Sequence, residues 1–157
     1  MITEKQIIEV QKLWGEGIIK IGSLKDNRSE CENYTNKFID ELYAFNSGEV
    51  LFKPTKCQTE QFRQTKPKAI SYFISGKNRA CMEDKGFALK PWTNVRFENA
   101  GLILEKSRAF SMGNYFFTDT KGNEIKVEFT FGYILIGEKL KIDLHHSSFP
   151  YSNSNNY

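Results

Sequence analysis

Apolar residues recur at two different spacings along this chain, and the change of spacing divides it. Ile7, Val10, Trp14, Ile18 and Ile21 fall at steps of three or four, behind a Thr3–Gln6 capping pattern. That predicts an amphipathic helix ended by Gly22-Ser23. Cys31, Tyr34, Phe38, Leu42 and Phe45 repeat the spacing, predicting a second helix from about Asp26 to Asn46, stopped by Ser47-Gly48. Val50-Leu51-Phe52 reads as a short strand closed by Pro54. Residues 55–76 are ambiguous: Pro67 suits the first turn of a short helix holding Ala69, Ile70, Phe73 and Ile74, yet AISYFI also suits a buried strand. Residues 77–91 read as a polar connection.

From Trp92 the period becomes two. Thr93 to Leu104, Arg108 to Phe117, Glu124 to Ile136 and Lys139 to Ser148 read as four strands, with Ile125, Val127, Phe129, Phe131 and Tyr133 on one face of the third. Turn sequences at 119–123 and 137–139 make consecutive strands antiparallel. Gly101, Gly113 and Gly132 inside strands point to bulges or bends. Helices followed by antiparallel strands predict one α+β domain, residues 1–150, whose curved sheet covers the helices and leaves a pocket on its concave side. Residues 151–157, YSNSNNY, read as a disordered tail.

Composition narrows the partners. The chain has 157 residues and a net charge of +3, from 22 Lys+Arg and 19 Asp+Glu. So small and scattered an excess argues against nucleic acid. No apolar run reaches the roughly 20 residues of a membrane span, and MITEKQIIEV lacks a signal core. Cys31, Cys57 and Cys81, odd in number and without a CxxC pair, fit reduced thiols and a cytoplasmic location.

The two histidines are adjacent, in LKIDLHHSSFPY (140–151). Strand alternation places Leu140, Ile142, Leu144, His146 and Ser148 on one face, and Lys141, Asp143, His145 and Ser147 on the other. His145 and His146 therefore cannot chelate one ion together. Asp143, His145 and Ser147 invite comparison with a hydrolase triad, but same-face neighbours stand roughly 6.6–6.8 Å apart and no GxSxG elbow exists. Asp143 and His145 offer two ligands to a metal, whereas a catalytic zinc needs three; Cys57 or Cys81 would have to supply the third. The remaining candidates compete with plainer roles: Tyr72 and the two Trp with core packing, Thr55 with a turn, and Arg63, Arg79 and Arg96 with solvated surface charge.

FKPTK (52–56), QFR (61–63), AISYF (69–73), KGFALKPWTNVRFENAGLILE (85–105), AFSMGNYFFTD (109–119), EIKVEFTFGY (124–133) and HHSSFPY (145–151) resemble bacterial and algal relatives of the calcium/calmodulin-dependent protein kinase II association domain, most closely the iota-class carbonic anhydrases. The resemblance runs from the first helix to Tyr151. It implies a cone-shaped α+β barrel of the nuclear-transport-factor-2 type, a homodimer, and reversible hydration of carbon dioxide to bicarbonate without a metal or other cofactor. The bicarbonate-binding Thr, Tyr, His and Ser of that family fall on Thr55, Tyr72, His145 and Ser147. The Tyr72 match favours a helix there. A single repeat without a leader is expected, with Phe149 where Leu is frequent. Neutral imidazole, with a reference pKa near 6.5, is available as general base, which makes His145 the expected proton acceptor. Tyr72 and Thr55 then donate to the developing oxyanion. The competing readings are a non-catalytic oligomerisation or small-anion-binding module, and a small-molecule isomerase or hydrolase on the same fold.

Overall fold

A computed structural model describes residues 1–153; positions 154–157 of the expected tail lie outside the described residues. Helix α1 spans Glu4–Ser23 and α2 Arg28–Leu42; β1 is Leu51–Lys53 and α3 Lys66–Ile74. Strands β2 (Trp92–Leu104), β3 (Arg108–Asp119), β4 (Glu124–Ile136) and β5 (Lys139–Ser148) follow. The capping box forms at Thr3, and the predicted stripe of α1 is buried throughout. Pro67 in the first turn and a buried Ala69, Tyr72, Phe73 and Ile74 settle the ambiguous segment as a helix. The connection 77–91 is less polar than its sequence suggests, since Phe87–Leu89 forms a 3₁₀ turn and Asp84 is buried against Arg63.

Helix α2 ends at Leu42, four residues short of the expected Asn46. Tyr43 leaves the helix with extended backbone (φ −107°, ψ 153°) and bridges in parallel to Ile142 of β5. The Ala44 N–H reaches the Ile142 carbonyl at 2.9 Å. Pairing with a sheet edge prevails over helical spacing here, and it delivers the Tyr43 side chain to the interior.

The five strands form one mixed sheet in the order β1-β5-β4-β3-β2. The four long strands are antiparallel as predicted, but β1 joins β5 in parallel, with Phe52 opposite His145. Strands β1 and β2 are separate edges, so by hydrogen bonding the sheet is open and not the closed barrel expected. It is nevertheless strongly curled. The Trp14 ring centroid lies 6.0, 5.6, 6.1 and 5.6 Å from those of Phe97, Tyr115, Phe131 and His145, on four successive strands. Four flat strands would span about 14 Å; only a sheet bent around the indole brings all four so close.

Two bulges bend it. Ala100 is the extra residue between β2 and β3, and Asp143 the extra residue between β4 and β5. Each faces a glycine that tolerates the close approach. A Cβ on Gly113 would lie 2.0 Å from the Glu98 carbonyl oxygen, and one on Gly132 2.8 Å from the Leu144 Cβ. The Asp143 bulge also resets the alternation of β5. Leu140, Ile142, His145 and Ser147 are buried together while His146 is exposed, so the strict face assignment expected for this strand fails at one residue.

Candidate active site

After the bulge, His145 and Ser147 point the same way from adjacent inward positions, 2% and 1% exposed. The His145 Nε2 stands 3.0 Å from the Ser147 Oγ. Edge pairing then adds the next wall: Phe52 stacks on the imidazole at 4.7 Å between centroids, with planes 18° apart. Pro54 turns the chain away from β1 and leaves Thr55 at the rim. Helix α3 presents Tyr72, whose hydroxyl accepts the Lys56 N–H at 3.3 Å and lies beside the Thr55 side chain. Thr55, Tyr72, His145 and Ser147 thus converge on one small cavity of about 10 Å³, with Trp14, Phe52, Phe73, Phe87 and Tyr115 among its walls. A cavity of that size holds about one water. Thr55, Tyr72 and Phe87 also line a wider open cleft with Lys56, Lys85, Lys90 and Trp92. That cleft is the route to solvent.

Two further tyrosines belong to the constellation. The Tyr115 hydroxyl lies 3.2 Å from His145 Nε2 and is hydrogen-bonded to Ser147 Oγ, with the Thr55 side chain beside it. On the other side of the ring, the Tyr43 hydroxyl is 2.8 Å from His145 Nδ1 and receives the Trp14 Nε1–H at 2.9 Å. Tyr115 sits inward with Phe117 on β3, a strand that alternation predicts, but nothing in the sequence singled out its hydroxyl. Tyr43 carried no strand signal, because the helical spacing ran through it to Phe45.

Burial sets the electrostatics. Desolvation pushes the Tyr43, Tyr72 and Tyr115 hydroxyls well above their ordinary pKa, so they remain protonated donors. Desolvation, with a smaller contribution from His146, holds His145 well below 6.5 and therefore neutral. A general base works best with a pKa near the working pH, so the base role expected for His145 is not the one its surroundings favour.

Other candidates lie elsewhere. Asp143, the bulge residue, pairs with Arg108 at 2.7 Å and shares no face with His145, which removes both the triad and the two-ligand metal arrangement. Arg63 is fully buried, not solvated, and grips Asp84 through two 2.7 Å bonds. Arg79 binds the Gly76 and Met82 carbonyls, and Arg96 pairs with Glu98 and Glu124. Desolvation, the larger cause for both, pushes the Cys57 thiol up to about 12 and, with the Glu60 carboxylate, Cys81 up to about 11. Both stay protonated and are poor metal ligands. Among the described residues no three His, Cys, Asp or Glu side chains converge as a metal site.

Known proteins share this architecture and sequence. A sequence model of the metal-independent carbonic anhydrase family matches residues 5–149. A metal-independent carbonic anhydrase of Nostoc sp. (strain PCC 7120 / SAG 25.82 / UTEX 2576) is 38% identical over 154 residues, 96% of this chain and 75% of that protein. The crystal structure of a cyanobacterial iota-carbonic anhydrase complexed with bicarbonate superposes with a TM-score of 0.92 at 36% identity, covering 97% of this chain and 94% of that one. A calcium/calmodulin-dependent protein kinase II association-domain structure from Xanthomonas campestris, at 18% identity and a TM-score of 0.63 over 96% of this chain and 89% of that one, shares the fold. With the small hydroxyl-lined cavity in place and the family model spanning nearly every described residue, the chain belongs to the metal-independent carbonic anhydrases.

Proposed function

We propose that carbon dioxide and bicarbonate interconvert in the cavity bounded by Thr55, Tyr72, His145 and Ser147, with Tyr115 as a fifth participant. The observation that carries this assignment is the convergence of neutral donors in an otherwise aromatic, water-poor dead end. Carbon dioxide is small and apolar, as walls made by Trp14, Phe52, Phe73 and Phe87 require, and those walls part to admit it. Bicarbonate is an anion that needs hydrogen-bond donors, and buried hydroxyls supply them without a competing positive charge.

In hydration, a water oxygen adds to the carbon, one carbon–oxygen π pair becomes the oxyanion, and one proton leaves. The Tyr72 and Thr55 hydroxyls and the imidazole Nε2 side of His145 face the oxygens that gain charge, where preorganised donors act most strongly. The departing proton travels along Ser147 and Tyr115, each hydroxyl accepting one proton and passing on its own, to water at the Thr55 rim of the outer cleft. Such a site lacks the metal-bound hydroxide that makes zinc enzymes fast. A modest turnover follows.

A cone of the nuclear-transport-factor-2 type is the proposed shape, supported by the curl of the open sheet around Trp14. A homodimer is the proposed working unit, supported by Ile103 and Met112, exposed on the outer sheet face. A cytoplasmic setting is supported by three unbridged cysteines; no described helix is long and apolar enough to cross a membrane. A carbon dioxide hydration assay on purified protein tests the assignment. Activity is expected, unchanged by a strong chelator and abolished by His145→Ala with the fold preserved by circular dichroism. Bicarbonate binding without hydration would instead identify a binding module, and loss on chelation with recovery on zinc would restore metal chemistry.

A further inference from the structure

The Tyr43 hydroxyl has three possible dealings and only one arrangement that satisfies them all. The Trp14 indole N–H is a donor only, so at 2.9 Å the Tyr43 oxygen must accept it. The hydroxyl hydrogen then needs an acceptor. Among the described residues its remaining partner is His145 Nδ1 at 2.8 Å. Tyr43 is fully buried, and a buried donor left unmade is the costly alternative. Nδ1 must therefore carry the lone pair, and in a neutral ring the hydrogen resides on Nε2.

We infer that Trp14 and Tyr43 are positioning residues that lock His145 in its Nε2–H tautomer, so that the imidazole serves the reaction as a neutral hydrogen-bond donor to bicarbonate and not as its general base. Nε2 faces Ser147 Oγ and the Tyr115 oxygen at 3.0 and 3.2 Å, which accept its hydrogen while the cavity is empty of substrate. When bicarbonate enters, that N–H turns to an oxygen of the anion. Five rings, Trp14, Tyr43, Phe52, Tyr115 and Phe131, surround the imidazole. None is charged, so nothing beside the ring compensates an imidazolium. Neutral imidazole acting as a donor is an established solution in catalysis where a helix or burial keeps the ring unprotonated. The inference rests on the proposed placement of bicarbonate at His145, but the tautomer itself does not.

The chain has only two histidines, which makes the test direct. Long-range ¹H–¹⁵N correlation spectra of uniformly labelled protein report the protonation of each ring nitrogen, and His146→Gln, on the exposed outer face, identifies the His145 pattern. The expected result is one His145 tautomer at neutral pH, pyrrole-like at Nε2 and pyridine-like at Nδ1. Tyr43→Phe should release the lock, giving a mixed or Nδ1–H pattern and a fall in kcat/KM of about 10–100-fold, the scale typical when the partner orienting a functional imidazole is removed. An Nδ1–H or doubly protonated ring in the unmodified protein would overturn the inference, as would an unchanged tautomer in Tyr43→Phe; the first reading survives even if that variant does not fold. Bicarbonate titration separates the parent reading. A shift of the His145 Nε2–H resonance supports it, whereas no shift with the tautomer as stated sinks the bicarbonate placement and leaves the lock standing.

Discussion

At the scale of single residues, the site is a set of hydroxyls whose value lies in being protonated. Tyr115 illustrates it. Its hydroxyl touches both His145 Nε2 and Ser147 Oγ and lies beside Thr55, so it joins the buried imidazole to the rim. Tyr115→Phe keeps the ring and its packing against Phe117 and Phe129 but breaks this chain in the middle. Hydration activity should fall by roughly 10²–10³-fold, the loss typical of a removed transition-state donor, with a melting temperature little changed. An activity within twofold of the unmodified protein would exclude Tyr115 from the reaction. Ser147→Ala is expected to behave similarly, because it removes the next hydroxyl of the same chain. Sequence made part of this visible. HHS in a resemblance-bearing segment singled out His145 and Ser147, and the SYF and FKPT contexts singled out Tyr72 and Thr55. Trp14 and Tyr43 were invisible as site residues, since an indole in an apolar stripe looks like core until its N–H is followed to an acceptor.

At the scale of elements, one unpaired residue decides the geometry. The Asp143 bulge is what places His145 and Ser147 on the buried side along with Ile142; an unbulged β5 would turn either the aliphatic half or the catalytic half to solvent. Alternation in the sequence named strands whose ends agree with the structure to within a residue or two, because period two over ten or more positions is a strong signal. It could not locate the bulge, because a bulge is a property of two strands and only its glycine partner is written in one of them. Gly132 is that partner. Gly132→Ala forces a Cβ to within 2.8 Å of the Leu144 Cβ, and overpacking of this kind costs typically 1–3 kcal/mol. The variant should unfold at a lower urea midpoint and lose activity beyond what its residual folded fraction explains, because the strain sits one residue from His145. Full activity in the folded fraction would show that the bulge does not govern the site. The early end of α2 has the same origin. Tyr43 pairs with β5, a partner a hundred residues away, and no local periodicity reports that contact.

At the scale of the whole molecule, the buried imidazole couples catalysis to stability. His145 has its pKa held well below 6.5 in the folded chain by desolvation and, less, by His146; unfolded, it returns to about 6.5. The groups facing it from α1, the segment after α2, β1, β3, β4 and β5 are Trp14, Tyr43, Phe52, Tyr115, Phe131 and Ser147, none charged. Below pH 6.5 and down to the folded value, the unfolded state binds a proton that the native state does not. Stability must therefore rise with pH through that window, at most about 1.4 kcal/mol per unit, and level off above it. Carboxylates held low by their partners, such as Asp40 beside Lys66, act in a separate window below about 4. Urea unfolding at fixed protein concentration, compared at pH 7.5, 6.5, 5.5 and 5.0, should show a progressive loss that begins near 6.5. His145→Gln should flatten that loss while His146→Gln leaves most of it. Equal slopes in the unmodified protein and His145→Gln would mean that the native ring accepts its proton freely, and a ring that does so near neutrality would again qualify as the base.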